Sequence, residues 1–501
     1  MSRNKFLNLF FAIEVSLFGL IITGILPREI ALYLGAALVI YFLAAPLDDS
    51  LVFFVRSIPL FLALPITTNF DNFNTWRVLA TIIFLKWLFK NNIKYYVLSI
   101  KNWIKNFSYR QLSFLLIILL LLAVLSLIPA TDKIAAIKRI IYFLNFAVLG
   151  IVIYYKSADK KFAKRLIKNS IIPVVIVATV GYIQVISTYF IDIYQFMRMW
   201  GEEIQCRQFG EQWCNIAVQL GNTWFAYYGE QLSLRVFSLF PDSHSFPQFI
   251  LLGIPAVLAI IQKKWLKIIS ISFLFLIIIL SGTRGIWAAS IGVVLLYFGL
   301  MIYVKKRELT KFSYDNFVSF KKLGWFLVIF FVMFAVAFPI FSSPQFLVGK
   351  SDDFLKQRVR SIIDFGETSN AQRIEIWKKT LLSIKERPLL GVGIGNYPVV
   401  LGQDIRLAKA GSSAHNIYLQ IAAEMGTPAL IFALWFLWLL VQKIYNNFVS
   451  SKDREIIVYN GAALIFIPWV LVYGLTDVAL FDERTFLIFV TTIALVLTKH
   501  E

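Results

Sequence analysis

Unbroken apolar stretches long enough to cross a bilayer recur from one end of this 501-residue chain to the other. A helix spans the hydrocarbon with about 20 apolar residues, and lipid cannot satisfy the polar backbone of an open, irregular segment. The pattern therefore commits the chain to an all-α, polytopic membrane fold. About fourteen such runs can be read, near 7–26, 29–46, 51–66, 74–89, 113–130, 137–155, 171–193, 246–262, 266–281, 284–304, 323–341, 415–441, 456–474 and 482–498. Merging one short pair sets the expectation at about 12–14 transmembrane helices. Composition agrees, with 59% hydrophobic residues and 47 Phe, where a soluble domain is about half apolar. The first run carries Glu14 and no small-residue cleavage site, so it reads as a retained helix and not a signal peptide.

A net charge of +20 would suggest nucleic acid in a soluble chain. Here topology accounts for it, and no nucleic-acid partner is expected. With the N-terminus inside and the spans alternating, the basic segments 86–110, 156–168, 263–267, 305–322 and 443–455 all fall in the cytoplasm, as Lys- and Arg-rich loops do. Both termini are then cytoplasmic, and two long segments, 194–245 and 342–414, face outward. The expected organisation is a transmembrane bundle over 1–341 with its outer loop 194–245, an extracytoplasmic cap over 342–414, and C-terminal transmembrane helices over 415–501. In the cap, LKQRVRSIIDF and AQRIEIWKKTLLSIKER read as amphipathic helices and GVGIGNYP as a run of turns. No nucleotide-binding loop of P-loop spacing is present. The only cysteines, Cys206 and Cys214, share one outer loop, where an oxidising compartment favours a disulfide.

Ionisable residues at membrane depth are costly and mark cavities, partners or substrates. On the outer side they gather in four stretches. RVFSLFPDSHSFPQ offers Arg235, Asp242 and His244; SGTRGIWAAS offers Arg284 at a helix start; the cap segment 372–398 offers Arg373 and Asn396; and SSAHNIYLQIAAEMG offers His415. In the last of these, Asn416, Gln420 and Glu424 recur every four residues as one polar stripe, with His415 and Tyr418 beside it and Pro428 expected to kink the helix. Elsewhere, Arg56 and Arg77 read as interfacial anchors or helix–helix ties. A pair of arginines suits a phosphate or diphosphate, because the guanidinium is always charged and presents a rigid fork of donors. A histidine suits proton abstraction from a sugar hydroxyl. Together these groups describe transfer from a diphosphate-linked donor to a hydroxyl.

From Arg373 through Leu430 the chain carries R-x(3)-W, then PLLGVGIGNYP, then HNIYLQIAAEMGTPAL. In these motifs, and more loosely in RVFSLFPDSHSF and SGTRGIW, it resembles the O-antigen ligase and polymerase superfamily of bacterial membrane glycosyltransferases. The resemblance covers roughly 230–440 by motif and the rest only by hydropathy. It implies an all-α fold with a periplasmic cap above a lateral opening to lipid. It further implies His415 as catalytic base and Arg235 and Arg284 as ligands of the donor diphosphate, with no metal and no cofactor. The donor would be a polyprenyl-diphosphate-linked oligosaccharide, usually undecaprenyl, and the acceptor a glycolipid such as lipid A-core or another glycan. The enzyme would sit in the inner membrane with its active site facing the periplasm. Asn416, Tyr418, Glu424, Asp242, His244, Arg373 and Asn396 would support that site. The chain departs from the family pattern where Asp242, Ser243 and His244 replace an Asn after the Pro, and where Thr283 replaces a Ser.

Three alternatives stay open on the sequence. A polymerase shares these motifs and differs from a ligase in its acceptor. A polysaccharide transporter or flippase would be expected to show paired broken helices and mid-membrane charges in related halves. A metal-dependent glycosyltransferase would need an acidic pair on the outer side, whereas Asp48–Asp49 falls inside.

Overall fold

The computed structural model describes residues 3–66, 73–90, 107–210, 213, 224–228, 231–307, 314–341, 343–346, 368–403 and 412–498. The chain is an all-α, multi-pass membrane protein. Its helices are α1 (Arg3–Ile22), α2 (Ile30–Ala44), α3 (Leu47–Ser57), α4 (Thr75–Lys90), α5 (Phe107–Leu125), α6 (Lys133–Lys156), α7 (Lys160–Asn169), α8 (Ile171–Ser187), α9 (Ser245–Ile260), α10 (Lys264–Leu280), α11 (Arg284–Arg307), α12 (Tyr314–Phe341), α13 (Thr368–Glu386), α14 (Ile417–Met425), α15 (Thr427–Ser450), α16 (Arg454–Tyr473) and α17 (Glu483–Leu497), with a further helical run over 193–209 whose middle, Met197–Gln205, is wound as a π-helix. Among the described residues, seven helical segments are long and apolar enough to cross a membrane, and three more apolar helices are shorter. Side chains such as Tyr33, Phe89, Leu295 and Trp438 stand exposed on the flanks, the surface expected of a lipid-facing bundle.

Several boundaries differ from the sequence expectation. The run at 51–66 is not a spanning helix: α3 has 11 residues, followed by a 3₁₀ turn at Ile58–Leu60 and a two-residue strand, β1 (Ala63–Leu64), paired with β2 (Phe73–Asn74). Pro59 removes a backbone donor where the helix would continue. A second hairpin pairs β3 (Phe225–Tyr228) with β4 (Gln231–Leu234). The segment at 415–441 is two helices. Gly426 adopts a left-handed φ of 87° between them, and Pro428 falls in the first turn of α15, where a missing N–H costs nothing. In the cap, α13 forms over the second amphipathic stretch, while the first, LKQRVRSIIDF, lies outside the described residues.

The centre of the bundle is α9 against α16. In α9 every residue from Ser245 to Ala259 is buried, and α16 is apolar and inaccessible over most of its length. The two run antiparallel, so the start of α9 and the end of α16 meet at one end. At 20 residues, α16 carries its own start about 30 Å away. That far end is basic and ion-paired: Lys160 and Lys164 reach Asp453 at 3.0 and 2.7 Å, Lys156 reaches Asp48 at 2.8 Å and Arg165 reaches Asp49 at 2.7 Å. Arg56 and Arg77 are helix ties, the first to Asn8 and Asn169, the second to Glu483.

Candidate active site

The end of the bundle opposite the basic end gathers the candidate residues, and local geometry fixes each. Asn416 is the N-cap of α14. Its side-chain oxygen accepts from the backbone N–H groups of Tyr418 (2.9 Å) and Leu419 (3.0 Å), which satisfies orphan donors of the first turn. Its amide donates to the Leu475 carbonyl (3.0 Å), Ile417 N–H donates to the Gly474 carbonyl (2.8 Å), and the Tyr418 hydroxyl donates to Leu471 O (2.8 Å). The start of α14 is thus stapled to the end of α16. His415 is not on the helix, as the four-residue stripe suggested, but precedes it. Its backbone is left-handed, with φ 45°, a conformation that costs a non-glycine residue about 1 kcal/mol or more and is held only by its surroundings.

The other cap motifs build the frame around that step. Gln420 donates to Glu424 (2.6 Å) and accepts from Ala414 N–H (2.9 Å). The GVGIGN turn docks on α14 backbone to backbone, Val392 N–H on Ala423 O and Gly393 N–H on Glu424 O, both 2.9 Å. A Cβ on Gly391 would lie 2.3 Å from Ala423 O, so only glycine allows the approach. Asn396 bonds the backbone of Asp132 in both directions, tying the turn to the start of α6. Glu424 and Asn396 are therefore framework. In α13, Trp377 donates to the Ala414 carbonyl (2.9 Å), and Arg373, one turn earlier, reaches over the site.

On the other side, Asp242 accepts from the backbone N–H groups of His244 and Ser245, both at 2.8 Å, and so closes the turn that opens α9. Thr283 donates to the Ser243 carbonyl (2.7 Å), which brings the start of α11, and with it Arg284, beside this turn. Arg235 follows β4, its N–H bonded to the Trp224 carbonyl at 2.8 Å. It lies in the irregular segment between β4 and α9, not at a helix end.

These pieces converge on Asp477, in the loop between α16 and α17. Its Oδ2 lies 3.3 Å from His244 Nδ1, 3.7 Å from His415 Nδ1 and 3.9 Å from Arg373 Nη2. His244 Nδ1 is also 2.9 Å from the Tyr473 hydroxyl, and its Nε2 is 3.3 Å from Arg235 Nη2. The 3.7 Å separation from His415 is too long for a hydrogen bond and acts through charge. Burial works against the Asp477 charge, but His244, His415 and Arg373 outweigh it and hold the carboxyl far below the usual carboxylate range. Burial pushes His244 down to about 3, against the pull of Asp477, so its ring is neutral at physiological pH. Burial, with the nearby charges of Arg284 and Arg373, lowers Arg235 to about 10, and burial with Asp482 raises Asp242 to about 6. Arg284 and Arg373 both act on the charge of Arg235, with Asp242 and Asp477 as the opposing charges nearby.

Arg235, Arg284, Arg373, His244 and His415 are thus brought together, with Asp242 closing the turn beneath them. Asp477 and Tyr473 were not anticipated from sequence. The available signal was an acidic residue, Asp477, between two late spans on the same outer side as the arginines. Cys206 is disulfide-bonded, and Cys214 lies outside the described residues. Residues 269–434 match the model of a family described as O-antigen ligase. The match includes Arg284, Arg373, Asn396, His415, Asn416, Tyr418 and Glu424, and leaves Arg235, His244 and Asp477 outside it. The curated proteins contain no match to the chain.

Proposed function

We propose that this chain is a membrane glycosyltransferase of the O-antigen ligase superfamily that moves a glycan from a polyprenyl diphosphate, undecaprenyl in the usual case, to a hydroxyl of a lipid A-core-like acceptor at the periplasmic face of the inner membrane. The observation that carries this reading is the convergence of His415, Arg373 and the Arg235–His244 pair on Asp477, at the end of the bundle opposite its basic, ion-paired end. Lys and Arg accumulate on the cytoplasmic side, so the site faces outward.

The chemistry follows from the groups in place. Arg235 and Arg284 hold the diphosphate and take up negative charge as the bond between the anomeric carbon and the phosphate oxygen breaks. His415 keeps Nδ1 on its buried edge facing Asp477, and its side chain is 33% exposed, so the accessible edge carries the other nitrogen. Asp477 favours the tautomer with the proton on Nδ1, as a carboxylate does for a catalytic imidazole. Nε2 then accepts the acceptor's hydroxyl proton while that oxygen attacks the anomeric carbon. The polyprenyl diphosphate departs on the arginines.

The test uses purified full-length protein in nanodiscs with an undecaprenyl-diphosphate oligosaccharide, products being read by mass with and without a lipid-core acceptor. A single acceptor-dependent adduct is expected. A ladder without added acceptor would make the enzyme a polymerase, and no turnover by intact protein would overturn the transferase reading.

A further inference from the structure

We propose that His244 is a positioning residue for the donor: a neutral imidazole whose unprotonated Nε2 aims the Arg235 guanidinium. The inference rests on the reading of Arg235 as a diphosphate ligand, and it assigns the two histidines around Asp477 opposite duties.

A guanidinium has five N–H donors and no acceptor. At the 3.3 Å contact between Arg235 Nη2 and His244 Nε2, the imidazole nitrogen must therefore be the acceptor. A neutral ring then carries its proton on Nδ1, which faces two oxygen acceptors, the Tyr473 hydroxyl at 2.9 Å and Asp477 Oδ2 at 3.3 Å. Both nitrogens are matched only in this tautomer. Protonating Nε2 would set a donor against a donor. The charged and titratable groups around the ring are Arg235, Arg373 and His415, which oppose a positive imidazole, Asp477, which favours one, and the Tyr473 hydroxyl bonded to Nδ1; burial decides for the neutral ring.

The turn that carries the ring, and the tyrosine it bonds, are also held in place. Asp242 pins the His244 backbone from one side, Thr283 pins the neighbouring Ser243 carbonyl from the other, and Tyr473 packs beside Gly285, where a Cβ would meet its ring at 2.5 Å. Arg235, by contrast, has few other restraints. Among the described residues its Nε is buried without a hydrogen-bond partner. His244 Nε2 is thus the contact that sets the direction of the fork. His415 differs: its side chain is 33% exposed against 19% for His244, so one ring can exchange a proton with an acceptor while the other stays fixed and neutral.

Amide replacements separate the two ring nitrogens. A glutamine oxygen can take the place of Nε2, whereas an asparagine amide reaches only the place of Nδ1. The measurements are binding of undecaprenyl diphosphate to nanodisc-embedded full-length protein, the donor KM and kcat, and the melting temperature. His244→Leu is expected to weaken undecaprenyl diphosphate binding and raise the donor KM by about tenfold, the cost of one lost charge-assisted hydrogen bond. The acceptor KM should stay unchanged, His244→Gln should return to within about threefold of the parent, and His244→Asn should resemble the leucine variant. Equal behaviour of the Gln and Asn variants, with a normal melting temperature, would overturn the proposal. It would also fall if donor binding were untouched in all three while Arg235→Gln abolished it. Should Arg235→Gln itself leave donor binding intact, the diphosphate assignment is what fails. If His244→Leu does not fold, the Gln and Asn pair decides.

Discussion

Asp477 Oδ2 lies 3.7 Å from His415 Nδ1, on the buried edge of a ring whose other edge is open. A carboxylate so placed orients the imidazole and balances the charge that the ring gains when it takes a proton. Asp477→Asn keeps the shape and removes the charge. We expect kcat to fall by roughly 10²- to 10⁴-fold, the range for losing an oriented general base, with undecaprenyl diphosphate binding little changed. Steady-state kinetics would decide, and a kcat within a few-fold of the parent would remove Asp477 from the mechanism.

His415→Ala and Arg284→Ala should insert and melt like the parent yet be inactive. They differ in what fails. The histidine variant should still bind undecaprenyl diphosphate, whereas the arginine variant should bind it roughly tenfold or more weakly, the worth of a charge-assisted contact. Near-normal turnover in either would sink that residue's role.

Asp242 and Asp477 make opposite contributions to stability with pH. Asp242 is raised in the folded protein from 3.8 to about 6, so the fold favours its protonated form. Its stabilisation is complete below its unfolded value and is lost as pH rises through about 6. Asp477 is depressed, so its contribution is present above the unfolded value and lost as pH falls below it. Asp242→Asn keeps a capping oxygen without the charge. It should melt higher than the parent at pH 8, by the equivalent of roughly 1–3 kcal/mol, and show a clearly smaller gain at pH 4.5. A stability gain that is the same at both pH values would contradict the burial argument.

Gly426 separates α14 from α15 with φ 87°, and a Cβ there would lie 2.1 Å from the Leu389 carbonyl oxygen. Backbone cannot yield as a side-chain tip can. Gly426→Ala should cost roughly 2–4 kcal/mol and push away the segment at Leu389 that leads into the GVGIGN turn. Gly299→Ala, where a Cβ meets nothing within 4 Å, is the control and should be close to neutral. Thermal melts of the two variants in one detergent would test the contrast.

Orientation can be read directly. A cysteine at Ser412, beside the site, should react with a membrane-impermeant thiol reagent from outside the cell. One at Lys161, exposed on α7 at the basic end, should react only after permeabilisation. The reverse pattern would place the site in the cytoplasm and put Asp48 and Asp49 outside, reviving an acidic-pair mechanism.

The membrane fold was legible in the sequence because the apolar runs are long and the basic loops alternate, and both signals accumulate over many residues. The histidine and the arginines were legible because such groups are expensive at an apolar surface. What sequence could not reveal was pairing across the bundle. Asp477 lies 62 positions after His415 and 233 after His244, and its role exists only because α9 and α16 run antiparallel with their ends together. The polar stripe of α14 was misjudged for a related reason. Periodicity registers that Asn416, Gln420 and Glu424 share a face, but not that Asn416 caps the helix and leaves His415 outside it. The supposed kink at Pro428 became a break because Gly426 offered the chain a cheaper way to turn.

The hydrogen bonds that join the start of α14 to the end of α16 have a mechanical consequence. His415 and Asp477 ride on one stapled unit, so a tilt of that unit moves base and carboxylate together and leaves their separation unchanged. His244, on the turn before α9, joins that unit through the Tyr473 hydroxyl and Asp477, and Arg235, after β4, joins it through His244. Movement of the surrounding bundle would therefore carry the proposed base, its carboxylate and the Arg235–His244 pair as one body, so that none of them has to be reassembled between one turnover and the next.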